Sequence, residues 1–162
     1  MAKGNSILVS SCPAGQLREF FIATGETPKP GQTVQVDPTV ALKSGRHTAK
    51  IYSRDADGDR PAGAHWVLLE DSGQGKTVDD AYAAGDICRA YAPMAGDQLN
   101  LLFKNVAGTA DDVVAGDLFI LDSGTGKVIV TTGTPEAEVA MALEAVADPT
   151  ADTLVWSEWA GN

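Results

Sequence analysis

The chain has 162 residues, 44% of them hydrophobic and 21% charged, with a net charge of −10. That length holds one domain with a real core and falls short of two of ordinary size. No apolar run approaches the ~20 residues of a bilayer crossing, and the surplus of carboxylates argues against nucleic acid, whose phosphates are gripped by clustered Lys and Arg, so neither membrane nor nucleic acid is an expected partner.

The opening residues, "MAKGNSILVSSCPAG", lack the apolar stretch of about 7–15 residues that marks a secretory signal. The chain is therefore expected to work where it is made or in a particle assembled there. Apolar and polar residues then alternate over short runs: "SILVSS" (6–11), "LREFFIA" (17–23), "TVQVD" (33–37), "HTAKIYS" (47–53), "HWVLLE" (65–70), "DICRAYA" (86–92), "QLNLLFK" (98–104), "DLFILD" (117–122), "KVIVTT" (127–132), "VAMALEAVA" (139–147) and "DTLVWSEW" (152–159). Each reads as a strand, and the Gly, Pro, Asp and Ser clusters between them are those of an all-β sandwich or barrel. Only "EAEVAMALEAVA" (136–147) has the alanines and glutamates of a short helix, with strand the equal alternative. The predicted fold is a compact all-β barrel or sandwich, 26–162, with an extended N-terminal arm or edge strands over 1–25.

Ala-Gly-Asp occurs at 84–86, 95–97 and 115–117, each time directly before an apolar run. Glycine supplies positive φ and aspartate can bond to backbone amides, so the triplet starts strands. Pro30-Gly31-Gln32 is a looser version. "TVDDAYAAGD" (77–86) and "TADDVVAGD" (109–117) share Thr-x-Asp-Asp and Gly-Asp, a hint of an internally duplicated β unit.

"EDSGQGKT" (70–77) imitates a phosphate-binding loop. Such a loop needs a glycine five positions before its Gly-Lys pair, and that position holds Glu70; the related "DSGTGK" (122–127) has Leu121 there. Both are predicted turns, the second a hairpin. "DADGDR" (55–60) sets Asp55, Asp57 and Asp59 at alternate positions like a calcium loop, but Arg60 and Trp66 stand where glycine and a bidentate glutamate are required. Cys12, Cys88, His47 and His65 have no metal or redox spacing, so no cofactor and no metal are expected.

"VDDAYAAGD" (78–86) is similar to a motif of the trimeric all-β dUTP pyrophosphatases. That likeness implies Asp79 as the base and Tyr82 as the residue packed on the nucleotide. The sequence departs from the motif by one extra alanine and by Asp86 in place of a glutamate, and the glycine-rich arm that closes over the phosphates is missing.

Charge is unevenly spread: +2 over residues 1–60, −3 over 61–104 and −9 over 105–162, where Lys127 is the only cation. A near-neutral N-terminal part that docks and an acidic part that faces solvent is the reading this suggests. Phe20 and Phe21 lie on opposite faces of one strand, as do Trp156 and Trp159 of another, so one of each pair is free to anchor a contact. With Leu17 these are the candidate interface residues.

Taken together, "HWVLLEDSGQGKTVDDAYAAGDICRAYAPMAGDQLNLLF" (65–103), "VAGDLFILDSGTGKVIVTTG" (114–133) and the closing segment 140–159 resemble the head decoration, or cement, proteins of tailed bacteriophages. The resemblance rests on the order of strands and glycine turns and carries no catalytic motif. It implies a non-enzymatic virion protein on the outer capsid surface, present in the host cytoplasm during assembly. Its implied partners are the major capsid protein, bridged to stabilise the shell, and itself as a homotrimer. Another virion part, of tail or fibre, and the dUTP pyrophosphatase are the alternatives.

Overall fold

A computed structural model describes residues 6–10, 16–53, 65–105, 112–131, 138–147, 149 and 151–160. Among the described residues there are eleven strands: β1 (Leu8–Ser10), β2 (Gln16–Ile22), β3 (Thr33–Val36), β4 (Thr48–Ile51), β5 (Trp66–Leu68), β6 (Ile87–Ala92), β7 (Gln98–Phe103), β8 (Leu118–Leu121), β9 (Val128–Val130), β10 (Glu138–Ala142) and β11 (Thr153–Trp159). Every run predicted from alternation overlaps one of them, so the described residues are all-β as expected. The ambiguous segment 136–147 supplies β10, because ladders to β8 on one side and β11 on the other take up its backbone groups.

The strands close into two rings. In barrel I the order is β2-β4-β3-β5-β6, with β6 returning to β2. In barrel II it is β7-β11-β10-β8-β9, closed where Phe103 pairs with Val128, while β1 lies along the start of β7. The two rings have one topology. Strands β2 to β6 correspond in order to β7 to β11: first and third strands pair in parallel, and the other four pairings are antiparallel in both. Closing each sheet leaves no long edge for unwanted pairing.

The short sequence echoes do not follow this repeat. "TVDDAYAAGD" leads into β6, the fifth strand of its ring, and the end of "TADDVVAGD" leads into β8, the second of its own. Likewise "DSGQGK" follows β5, whereas "DSGTGK" joins β8 to β9. The shared strings mark shared turn chemistry; the duplication itself lies in the strand pairing.

Four turns do the same work in both barrels. Gly31, Gly85, Gly96 and Gly116 have φ of 84°, 82°, 90° and 100°, which an L side chain resists. In the three Ala-Gly-Asp turns an aspartate oxygen accepts the N–H three residues back: Asp86 from Ala83 (2.8 Å), Asp97 from Met94 (2.7 Å) and Asp117 from Val114 (2.7 Å). The Gln32 side chain takes the N–H of Lys29 in the same way. Each glycine N–H then donates to the end of a neighbouring strand: Gly31 to Leu68, Gly85 to Ile22, Gly96 to Trp159 and Gly116 to Ala142. The N–H of each receiving residue returns a bond to the residue after the glycine. A strand's start is thereby clamped to its neighbour's end, which fixes the register.

Side chains inside barrel I, including Phe20, Ile22, Val34, Leu68 and Cys88, form one core cluster. The second cluster fills barrel II and extends to Tyr52, Val67, Leu69 and Tyr91 of barrel I, so the barrels are packed on each other. Val67 and Leu69 are 0% and 8% exposed, burial that contributes about 1.5–3 kcal/mol per side chain. The hairpin 122–127 seals the joint. Thr33 N–H donates to the Gly126 carbonyl (2.6 Å), Gly124 N–H to the Tyr52 carbonyl (3.0 Å) and Leu102 N–H to the Gly31 carbonyl (2.9 Å). At Gly126 and Gly31 these approaches leave no room for a side chain. A Cβ on Gly126 would overlap the Thr33 carbonyl, and one on Gly31 would stand 2.8 Å from Leu154 Cδ2.

Residues 1–25, expected to be an arm or edge strands, supply β1 on barrel II and β2 inside the ring of barrel I; residues 1–5 and 11–15 lie outside the described residues. Ile7 is fully buried, and its N–H and the Ser6 hydroxyl both donate to the Glu70 carboxylate.

Candidate interaction surfaces

The phosphate-loop mimic is a capped turn. Asp71 Oδ1 accepts from Gly73 N–H at 3.1 Å, and the backbone groups of Asp71 and Lys76 bond each other. The Lys76 ammonium is already engaged: it donates to the Ala81 carbonyl (2.9 Å), lies 3.4 Å from Asp86 and sits over the Tyr82 ring.

The dUTP pyrophosphatase likeness needs Asp79 and Tyr82 at one site. Asp79 lines a cleft of about 520 Å³ between the barrels. Tyr82 is fully buried in barrel I, its hydroxyl donating to the Leu69 carbonyl at 2.8 Å and its ionisation pushed up by desolvation. A ring in that position cannot stack on a base in the cleft. Of the cations there, Lys127 is paired with Asp152.

Among the described residues no three His, Cys, Asp or Glu side chains gather where they could hold a metal ion. Asp55, Asp57 and Asp59 of the calcium-loop mimic lie outside the described residues, as does Cys12. Cys88 is fully buried, and burial pushes its thiol up to about 12, which leaves it protonated and inert.

The five candidate interface residues divide as the strand pleat dictates. Phe20, 1% exposed, packs edge-on against Trp66 in the barrel I core, and Trp159, 3% exposed, is core in barrel II. Burial removes both from any surface this chain presents. Leu17 is 49% exposed and Phe21 half-buried, with the Lys43 ammonium 4.9 Å from its ring centre. Trp156 is half-buried on the outer face of β11, its indole Nε1 enclosed without a hydrogen-bond partner.

The hairpin between β3 and β4 carries no alternating run, so strand patterning passed over it. It is nevertheless tightly built. Asp37 accepts from the N–H and hydroxyl of Thr39, and Lys43 and Arg46 exchange two backbone bonds across a Ser44-Gly45 turn with φ of 50° and 75°. A Gly-containing pair between Lys43 and Arg46 was the available signal for this two-residue turn. The hairpin displays Val40 (44% exposed) and Leu42 (58%), and residues 38–50 contain Lys43, Arg46 and Lys50 with no carboxylate. Phe21 of β2 stands beside it under the Lys43 ammonium, and Arg46 is ion-paired with the Glu19 carboxylate of β2. The neighbouring depression, about 430 Å³, is lined by Phe21, Val40 and Lys43 among others. Barrel II differs: residues 128–160 carry no Lys or Arg, and its exposed apolar Val114 (57%) stands between Asp112 and Asp117.

No protein-family model matches this chain, and no curated protein matches it. Among solved structures it is similar to the head fiber gp8.5 N base of bacteriophage phi29, at 12% sequence identity and a TM-score of 0.45, over 86% of this chain and 93% of that one.

Proposed function

We propose that this chain is a structural virion protein without enzymatic activity that binds the outer surface of a phage capsid, three copies together, and bridges major capsid subunits. The observation that carries this reading is the polarity of the molecule. Residues 1–60, which supply three of the five strands of barrel I, carry a net +2, while residues 105–162, which supply four of the five of barrel II, carry −9. Such a molecule docks by one end and presents a repelling, soluble surface at the other. The sequence pattern shared with cement proteins over 65–159 supports the same reading. Modest contacts repeated in each copy add through effective concentration, which is how a small protein reinforces a shell.

Co-sedimentation with expanded phage heads that lack the protein tests it. Saturable binding at a fixed ratio to the capsid subunit is the expected result. Absence of binding to mature heads from its own phage refutes the capsid role and redirects attention to the tail.

A further inference from the structure

The joint between the two barrels is a contact between unlike faces, and the duplication makes a second copy of each face. The correspondence can be fixed residue by residue. Ile22 pairs with Ala49 in the parallel ladder of barrel I, and Phe103 with Val128 in that of barrel II. Independently, Gly31 and Gly116 stand three residues before the buried Val34 and Phe119, which pair with Ile51 and Val130. Both anchors give one alignment, in which Leu102 corresponds to Phe21, hairpin 122–127 to hairpin 37–47, Gly31 to Gly116, Thr33 to Leu118 and Ile51 to Val130.

Within the chain, barrel II contributes Leu102 and hairpin 122–127 to the joint, and barrel I contributes the Gly31 turn, Thr33 and Tyr52. The corresponding face of barrel I is Phe21 with hairpin 37–47. The corresponding face of barrel II is the Gly116 turn with Leu118 and Val130. They hold three of the five exposed large hydrophobic side chains among the described residues: Val40 and Leu42 on the first, Val114 on the second. Leu102 is 7% exposed in the joint, whereas Phe21 remains half-buried under Lys43. Lys43 on the first face is opposite in charge to Asp112 and Asp117 on the second, while Arg46 is already paired with Glu19 of β2.

We infer that the occupant of these faces is a second copy of this chain, bound head to tail so that barrel I of one molecule docks on barrel II of the next as the barrels dock within one molecule. The contact is made by side chains, because the Phe21 N–H is already satisfied by the His47 carbonyl at 3.0 Å. A contact between unlike faces propagates and either closes into a ring or extends as a filament.

Light scattering of the free, full-length protein across a concentration series, with two variants, tests this. Leu42→Asp spoils only the first face, and Val114→Asp only the second; both side chains are exposed, so the fold is kept and thermal melting verifies it. The expected result is a wild-type mass at least three times the monomer's, monomers for each variant alone, and a 1:1 dimer when the variants are mixed, since one intact junction remains. A monomeric wild type, assembly unaffected by either variant, or a mixture that stays monomeric overturns the inference. Capsid binding is read separately by co-sedimentation, so failure here leaves that reading standing.

Discussion

Replacing Gly126 by alanine places a methyl group where the Thr33 carbonyl lies, and the hairpin must back away from barrel I. Retreat breaks the Thr33–Gly126 hydrogen bond and leaves a buried donor and acceptor unpaired, at a cost of about 1–3 kcal/mol. Alanine at φ of 62° adds roughly 1–2 kcal/mol of backbone strain. Gly124, two residues earlier in the same hairpin, is the control: its φ is 84°, but a Cβ there meets nothing within 4 Å, so only the strain is incurred. Gly126→Ala should therefore be the more destabilising by about 1–3 kcal/mol, which at ~2–4 °C per kcal/mol for a chain of this size separates the two melting temperatures by roughly 2–12 °C. Thermal unfolding followed by circular dichroism measures it. Equal losses in the two variants would show that the hairpin does not plug the joint.

The three Ala-Gly-Asp turns share one geometry and differ in burial, so Asp97→Ala, which also strips a partner from the buried Tyr91 hydroxyl, should cost about 1–3 kcal/mol more than Asp117→Ala in urea denaturation. Asp86 is held below its ordinary value, chiefly by the Ala83 N–H and then by Lys76, and Asp37 by the hydroxyl and N–H of Thr39. Their stabilisation is present above the ordinary carboxylate value and is lost as pH falls through the depressed one, so Asp86→Asn, which keeps an acceptor, should shrink the drop in melting temperature between neutral pH and about pH 3. In a Cys12→Ser background Cys88 should resist an aromatic disulfide reagent at pH 8 until denaturant is added; fast labelling of the native protein would contradict its burial. No dUTP turnover is expected, with or without Asp79→Asn, and turnover abolished by that change would reinstate the enzymatic reading.

Strand positions were legible because they are set locally. A side chain alternates faces every residue, and Ala-Gly-Asp can start a strand wherever it occurs, so alternation and turn chemistry located all eleven strands. The same local rule foretold that Phe20 and Phe21 would part company; which of them enters the core depends on what lies on each side of β2. The exposed hairpin 37–47 was illegible as a surface, since Val40 and Leu42 look like core residues until no neighbour covers them.

By itself the sequence determined the all-β class, the run of strands, the glycine turns and the lopsided charge, all properties of residues close together in the chain. Tertiary structure alone decided that the strands close into two rings of one topology, because pairing between strands is specified by hydrogen bonds across long sequence separations. It also decided that hairpin 122–127 packs into the joint between the barrels while its counterpart 37–47 does not. A glycine that meets a carbonyl from 93 residues away, as Gly126 meets Thr33, is written in the sequence only as a glycine.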